Sequence, residues 1–425
     1  MSSIRVCAIT FDWFPFEPRA FRLIRAATDA GCAVDVVCLR QPHQKRYEVD
    51  DGVHIYRMPL SRSYGGSLLL TILSWCWFFF LAGATVTRLH LRRRYDIVQV
   101  HNMPDFFVFA ALLPKLTGAK VVLDVQDACP ELMAERVGGP LRKIVTFFAT
   151  AEERLSTGFS DHVITVGWTL EELLLKRGVP REKISSIFNS ADPKIFPASQ
   201  RTRNHPIAEA VPGKQPFVLA YHGSVGKMQG LDTAIRAVAL AHRVVPEIRL
   251  CIKGFGEAAH LQQLTAELGL EDVVIFSRRC PVAEVADFLV CADVGIIPYR
   301  GSGYMELVLP TKAFEFARMC RPMIASNLRG IRSLFRPDSI ALCEPSSPAS
   351  FAEAIIDLYQ HPEKRLQMVA SAAEDYQLYR WELMAERYQK LLEMLSGKQM
   401  HERFAAALEV QEHGQQTPRA TVKRR

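Results

Sequence analysis

Short runs rich in valine, isoleucine and leucine recur along the chain, separated by stretches with apolar residues every three or four positions. In the first half, Ile4–Thr10, Ala33–Leu39, Val53–Met58, Ile97–His101, Lys120–Val125, His162–Val166 and Ile184–Phe188 read as strands. A helix over Phe21–Ala30 ends at Gly31. Strands that stay apolar on both sides are buried on both faces, so the pattern predicts a parallel sheet covered by helices. The alternation pauses at Pro193–Pro216, where Pro193, Pro197, Pro206, Pro212 and Pro216 stand among polar residues, a linker composition. It resumes with strands over Phe217–Tyr221, Ile248–Lys253, Val273–Ser277, Val294–Pro298 and Met323–Ala325. Helices over Gly230–Val244, Ala258–Leu268 and Val282–Cys291 lie between them, and two more follow near Phe351–Gln360 and Trp381–Leu395.

The fold class expected is α/β, two Rossmann-like doubly wound domains in tandem. Residues 1–196 form the first domain, 197–216 the linker, 217–376 the second domain and 377–396 a last helix. The tail 397–425 is polar, basic at its end and of disordered composition. In such sheets ligands bind outside the carboxyl ends of the strands.

One stretch breaks the alternation. Gly65 to Thr87 carries no charge, and as a helix over about 67–87 it is roughly 33 Å long, enough to cross a hydrocarbon core. A single crossing would put the strands before and after it on opposite sides of a membrane, so a span is disfavoured. A buried core helix and a helix dipping into one leaflet remain. Trp75, Trp77 and Phe79, with Arg92, Arg93 and Arg94 just beyond, suit an interface of acyl chains and anionic head groups.

Composition narrows the classes. The chain has 425 residues, 49% of them hydrophobic, too long for one ordinary core. A net charge of +7 favours anionic partners, yet no aromatic-plus-basic ribbon or helix-turn-helix pattern points to nucleic acid. The ten cysteines form no Cys-x-x-Cys pair, and Cys7, Cys38 and Cys251 sit in apolar runs, as reduced cytoplasmic thiols do. The start of the chain shows no cleavable leader. A dinucleotide-dependent oxidoreductase would need Gly-x-Gly-x-x-Gly after the first strand, where the chain reads Thr10-Phe-Asp-Trp-Phe-Pro15.

Candidate chemistry gathers in the second half. In Leu309-Pro-Thr-Lys-Ala-Phe-Glu315, Pro310 stops a loop, Thr311 can cap, and a helix starts near Lys312. Free N–H groups at a helix start suit a diphosphate, Lys312 adds a full charge, and Glu315 could accept from ribose hydroxyls. An i,i+3 surface pair of Lys312 and Glu315 is the bland alternative. Tyr221-His-Gly-Ser-Val-Gly-Lys-Met-Gln-Gly230 lies between a strand and a helix; Gly223 and Ser224 offer backbone, and Lys227 can neutralise phosphate. Lys253, Gly254 and Gly256 close the next strand. All three segments follow strands of one sheet and should converge. Asp124 and Asp127 alone do not make a metal site, and His101 beside Asn102 is a cleft candidate.

These segments, with Ala292-Asp-Val-Gly-Ile-Ile-Pro298 and Arg321-Pro-Met-Ile-Ala325, resemble the retaining GT-B glycosyltransferases of the large family four. Val100-His-Asn-Met-Pro104, Leu123-Asp-Val-Gln-Asp127 and Asn189-Ser-Ala-Asp192 extend the likeness through the first half, and Trp381-Glu-Leu-Met-Ala-Glu-Arg387 is similar to the family's last helix, which crosses back to the first domain. The branch resembled builds bacterial polysaccharides on lipid carriers. The resemblance implies a cleft between the domains, a nucleotide-diphosphate sugar as co-substrate, no cofactor or metal, and a lipid-linked or glycan acceptor met at the inner leaflet of the cytoplasmic membrane. Gln126, Asp127, Lys227 and Lys312 are then the candidate catalytic residues. Gly223, Ser224, Lys253, Gly254, Gly256, Pro310, Thr311, Lys312 and Glu315 would hold the donor, and Arg19, His101 and Asn102 would lie on the acceptor side.

The chain departs from the pattern in places. The carboxylate expected eight positions before Glu315 is Leu307, with Glu306 one residue off; Ser224 and Gln229 replace basic residues; Gln126 stands where relatives carry histidine; and Phe14-Pro-Phe-Glu-Pro18 replaces a glycine pair. Gln126 can position a group but cannot become an imidazolium. A catalytically weakened nucleotide-sugar-binding or scaffold member is therefore the alternative, and an epimerase on the same plan a distant third.

Overall fold

The computed structural model describes residues 3–60, 68–137, 139, 141–198, 215–277 and 282–400. Most of the expected linker and the tail beyond residue 400 lie outside the described residues.

The first half is β1 (Arg5–Thr10), α1 (Pro18–Asp29), β2 (Ala33–Leu39), β3 (Tyr47–Asp50), β4 (Val53–Met58), α2 (Leu68–Arg93), β5 (Ile97–His101), a 3-10 helix (Asp105–Ala111), α3 (Leu112–Leu116), β6 (Lys120–Val125), α4 (Cys129–Arg136), α5 (Leu141–Phe159), β7 (His162–Thr165), α6 (Trp168–Lys176) and β8 (Ile184–Ser186). The strands form one eight-stranded sheet in the order β3-β4-β2-β1-β5-β6-β7-β8, parallel except where β3 runs against β4. β3 is absent from the sequence expectation because its Tyr47/Val49 alternation spans only four residues, all of them exposed.

The second half is β9 (Phe217–Ser224), α7 (Leu231–Ala241), β10 (Ile248–Phe255), α8 (Ala259–Glu267), β11 (Val274–Ser277), α9 (Val282–Val290), β12 (Val294–Ile297), α10 (Thr311–Arg318), β13 (Met323–Ser326), α11 (Arg329–Arg332), β14 (Ala341–Cys343), α12 (Pro348–Gln360), α13 (Pro362–Tyr376) and α14 (Trp381–Ser396). Its six strands are parallel in the order β11-β10-β9-β12-β13-β14, a doubly wound sheet whose order reverses between β9 and β12. Both sheets carry a near-continuous apolar interior, as the unbroken Val/Ile/Leu runs require. The α/β class with two Rossmann-like domains is the architecture observed. α14 returns to the first sheet, where Tyr388 donates to Gln99 Oε1 at 2.6 Å and Gln389 to the Ala26 carbonyl at 2.9 Å.

α2 is neither a core helix nor a crossing. Phe78, Ala82, Val86 and Leu89 pack on the sheet, while Leu69, Leu73, Trp77 and Phe80 are exposed. It joins β4 to β5 within a single sheet and lies along it. The expected interfacial set is corrected in part. Phe79 turns inward against Phe106, ring centroids 5.7 Å apart, Trp75 is half-buried, and Phe80 is the exposed neighbour. Arg93 is held by Asp35 at 2.6 Å, whereas Arg92 and Arg94 are exposed.

Candidate active site

β9 and β10 run further than their sequence suggests, through the glycines. Their register sets Gly254 beside Gly223 and Lys253 beside His222. A Cβ at Gly254 would stand 2.5 Å from the Gly223 carbonyl oxygen and push the strands apart, while Gly223 has φ +112°, which a side chain rarely adopts. Gly256 lies against Val225, one residue beyond Ser224. The carboxyl ends of the two strands therefore close on one hollow.

α10 enters that hollow with its first turn. Thr311 is its first helical residue rather than its cap; Pro310 holds the cap position and no side chain caps it, which leaves first-turn N–H groups available to an anion. The Lys312 ammonium lies 3.9 Å from the centroid of the Tyr221 ring and 5.0 Å from that of Tyr299, and a Cβ on Gly223 would be 3.4 Å from its Nζ. Burial pulls the Lys312 pKa down to about 7, with the Glu315 carboxylate opposing. Burial alone would raise the Glu315 pKa, yet His222, Arg22 and Lys312 together hold it below the ordinary value. His222 Nε2 stands 3.0 Å from Glu315 Oε2 but is misaligned, so both buried atoms lack a well-formed hydrogen bond. A buried lysine and two under-bonded polar atoms beside paired glycine backbones have the chemistry to receive an anionic, hydroxyl-bearing ligand.

Across from α10, the first sheet contributes the other wall. A cavity of about 220 Å³ is lined by Gln126, Asp127 and Asn189 from one domain and by Tyr299, Tyr304, Leu307, Pro310 and Thr311 from the other. Tyr304 donates to Asp127 Oδ1 at 2.6 Å, joining the domains over this cavity. Burial raises the Asp127 pKa against that bond. Asn102 supports the wall from behind: its Oδ1 accepts from the Gln126 N–H at 2.8 Å and its Nδ2 donates to the Asp127 carbonyl at 3.2 Å. Tyr304→Phe should therefore destabilise the protein by about 1–3 kcal/mol by leaving a buried carboxyl unpaired. Adding Asp127→Asn should recover part of it in thermal denaturation; equal melting of wild type and Tyr304→Phe would show that the bond contributes nothing.

Other expected site residues are placed elsewhere. Arg19 and His101 do not line the cavity: both are buried on Asp124, with Arg19 Nη2 at 2.6 Å and His101 Nδ1 at 2.8 Å. They brace the sheet from within. Lys253 packs over the Phe288 ring at 5.5 Å, and Lys227 is exposed on the turn before α7. Glu306 turns away from the cavity, its Oε2 accepting from the Arg329 N–H at 2.6 Å, so Leu307 takes the cavity-facing position. Two residues escaped sequence reading. Tyr304 sits in an irregular loop. Arg22, from α1 of the first domain, is buried beside the Glu315 charge and 5.8 Å over the Trp381 ring.

The family described as "Glycosyl transferase 4-like domain" matches residues 16–189, and that described as "Glycosyl transferases group 1" matches residues 202–375. The chain belongs to the family-four GT-B glycosyltransferases. Within the family, it is 26% identical to D-inositol 3-phosphate glycosyltransferase of Thermomonospora curvata over 43% of each chain. The chain spans about half the length of the curated relatives it matches. Among solved structures, sucrose-phosphate synthase from Thermosynechococcus elongatus superposes with a TM-score of 0.73 at 18% identity, covering 92% of this chain and 99% of that one. HepE of Anabaena, solved in complex with UDP-glucose, gives 0.66 at 13% identity over 92% and 100%. These likenesses carry the GT-B fold.

Proposed function

We propose that the chain transfers a sugar from a nucleoside-diphosphate donor to a lipid-linked or otherwise membrane-presented acceptor, with retention at the anomeric carbon and without a metal. The observation that carries this reading is the cluster of Gly223, Gly254, Lys312 and Glu315 at the start of α10, whose Pro310 and Thr311 line the inter-domain cavity. The bond from the sugar's C1 to the diphosphate breaks while a bond from C1 to the acceptor oxygen forms, and the hydroxyl proton passes to the departing diphosphate. Lys312 and the α10 N-terminus stabilise the departing charge, Glu315 holds ribose hydroxyls, and Asp127 with Gln126 faces the acceptor. A sugar-nucleotide donor is supported by the UDP-glucose bound in HepE. A cytoplasmic site at the membrane face fits the exposed apolar side of α2 and buried thiols such as Cys38, pushed up to about 12 by burial.

A thermal-shift series over UDP, GDP and ADP identifies the base, since ligand at about 100 times its Kd adds about 2.7 kcal/mol. Incubation of wild type with the matching sugar nucleotide and a polyprenyl-diphosphate-linked acceptor should then give product, whose anomeric configuration NMR reads. If no nucleotide shifts the melt and no donor is consumed, the reading is wrong. The weakened or scaffold reading is favoured by Glu306 facing away and Leu307 facing in; donor binding without hydrolysis or transfer would select it.

A further inference from the structure

α5 begins with an apolar and basic segment that packs along α4 on one side and is otherwise left open by the first domain. From Leu141 to Thr150 no residue is buried, and Phe147 and Phe148 are 69% and 65% exposed. The same ten residues carry Arg142 and Lys143 and no acid. α2 shows the same character on a longer scale: its exposed stripe runs through Leu69, Leu73, Trp77 and Phe80 to Arg88 and Arg92, again without an acid.

The topology puts these two segments side by side. α2 joins β4 to β5, and α5, reached from β6 through α4, leads into β7, so both helices run against the parallel strands with their first turns toward the carboxyl edge. The 3-10 helix is wedged between the two helices, Phe106 against Phe79 and Phe109 against Phe159, at 5.7 and 4.9 Å between ring centroids. Phe78 meets Phe11, the residue after β1, edge-to-face at 5.1 Å between ring centroids, so the ten residues of α2 before it overhang the edge by about 15 Å. Glu131, near the start of α4, and Glu153 share Arg177, which sets residue 153 of α5 level with that edge. The twelve residues before it overhang by about 18 Å. The edge they overhang is the one that carries Gln126 and Asp127.

We infer that the first half of α5 is a second membrane-inserting element, lying with α2 on an anionic bilayer so that an acceptor anchored there reaches the Asp127 side of the cavity. The inference rests on the membrane-presented acceptor proposed above. Aromatic and leucine side chains enter the acyl boundary, and Arg142, Lys143, Arg88 and Arg92 meet lipid phosphates. The acid-free, basic-flanked composition of both segments matches anionic lipid in charge.

The test is vesicle flotation of the full chain on phosphatidylcholine with and without about one third phosphatidylglycerol. Wild type should float on the anionic vesicles. Phe147→Ser/Phe148→Ser should lower the partition coefficient at least about tenfold, as Leu73→Ser/Trp77→Ser should, with melting temperatures checked for each. Phe148→Trp, which keeps the apolar character, should show emission shifted to the blue on vesicles and quenched by brominated lipid, relative to wild type under the same conditions. If the α2 variant is released while Phe147→Ser/Phe148→Ser floats as wild type does, or the added emission of the Phe148→Trp variant stays unchanged on vesicles, the α5 inference falls and the membrane reading stands. If wild type floats on no vesicle, the membrane reading fails first. A dimer in sedimentation that Phe147→Ser/Phe148→Ser dissociates would assign the face to a second copy instead and overturn the inference.

Discussion

Lys312→Ala combined with Glu315→Ala is expected to lower sugar transfer by about 10³-fold or more in kcat/KM while leaving the protein folded. One preorganised donor to a developing oxyanion is worth about 10²–10³ in rate, and here a charged donor and the ribose acceptor are lost together. Folding survives because the two buried charges are removed together, and Arg22, which loses Glu315, keeps Glu17 and Asp192 as counter-charges. The single variant Lys312→Ala separates binding from scaffold effects through pH. Burial holds the free ammonium near a pKa of about 7, against an ordinary value of 10.5. A diphosphate arriving beside it favours the charged form, so donor binding takes up a proton. Above pH 7 the donor Kd should rise, approaching about tenfold per pH unit, and Lys312→Ala should flatten that slope. The donor-free protein should move the other way. Between about 7 and 10.5 the unfolded chain holds a proton that folded Lys312 has released, so this residue's contribution makes stability rise with pH. Full transfer by the double variant, measured with labelled donor, would remove the assignment; a donor Kd that ignores pH in wild type would remove the role given to Lys312.

The parallel strands were readable because burial on both faces leaves no polar alternation to confuse them, as in Val36–Leu39 and Val121–Val125. Strand ends were less readable. Glycine suggests a turn, yet Gly223 and Gly254 are paired strand residues whose missing side chains let two backbones close on a ligand. β3 was missed because it is only four residues long and wholly exposed, and α13 because it buries only Met368, Ala372 and Tyr376. The donor side was legible locally, since Pro310–Glu315 lies within one helix start. Its partners were not. His222 lies on another strand, Arg22 and Tyr304 act across the domain boundary, and no spacing in the chain announces such contacts. His101 looks like a cleft residue because it ends a strand, and Arg19 by family resemblance, and only the fold reveals the carboxylate, 105 positions from Arg19, that takes them inward.

That carboxylate governs the largest expected change in stability. Arg19 Nε donates to both oxygens of Asp124, at 3.0 and 2.9 Å, and its Nη1 donates to the Ile187 carbonyl at 2.8 Å, tying α1 to the loop after β8. Asp124 is wholly buried, which by itself would raise its pKa, but Arg19 and His101 outweigh burial and hold it at about 2. Arg19→Met strands this charge and should cost about 3–5 kcal/mol, the range for breaking a buried ion pair from one side. For a domain of this size that lowers the melting temperature by roughly 6–20 °C. Arg19→Met/Asp124→Leu should recover most of the loss, because removing both partners also removes the unpaired charge. The sign with pH follows from the depressed pKa. The stabilisation is fully present above the unfolded carboxyl value of about 3.9 and disappears as pH falls through about 2. Arg19→Met should thus close most of its gap to wild type under acid, and a gap unchanged between pH 7 and about pH 2 would show that its cost comes from packing and not from the charge it leaves behind.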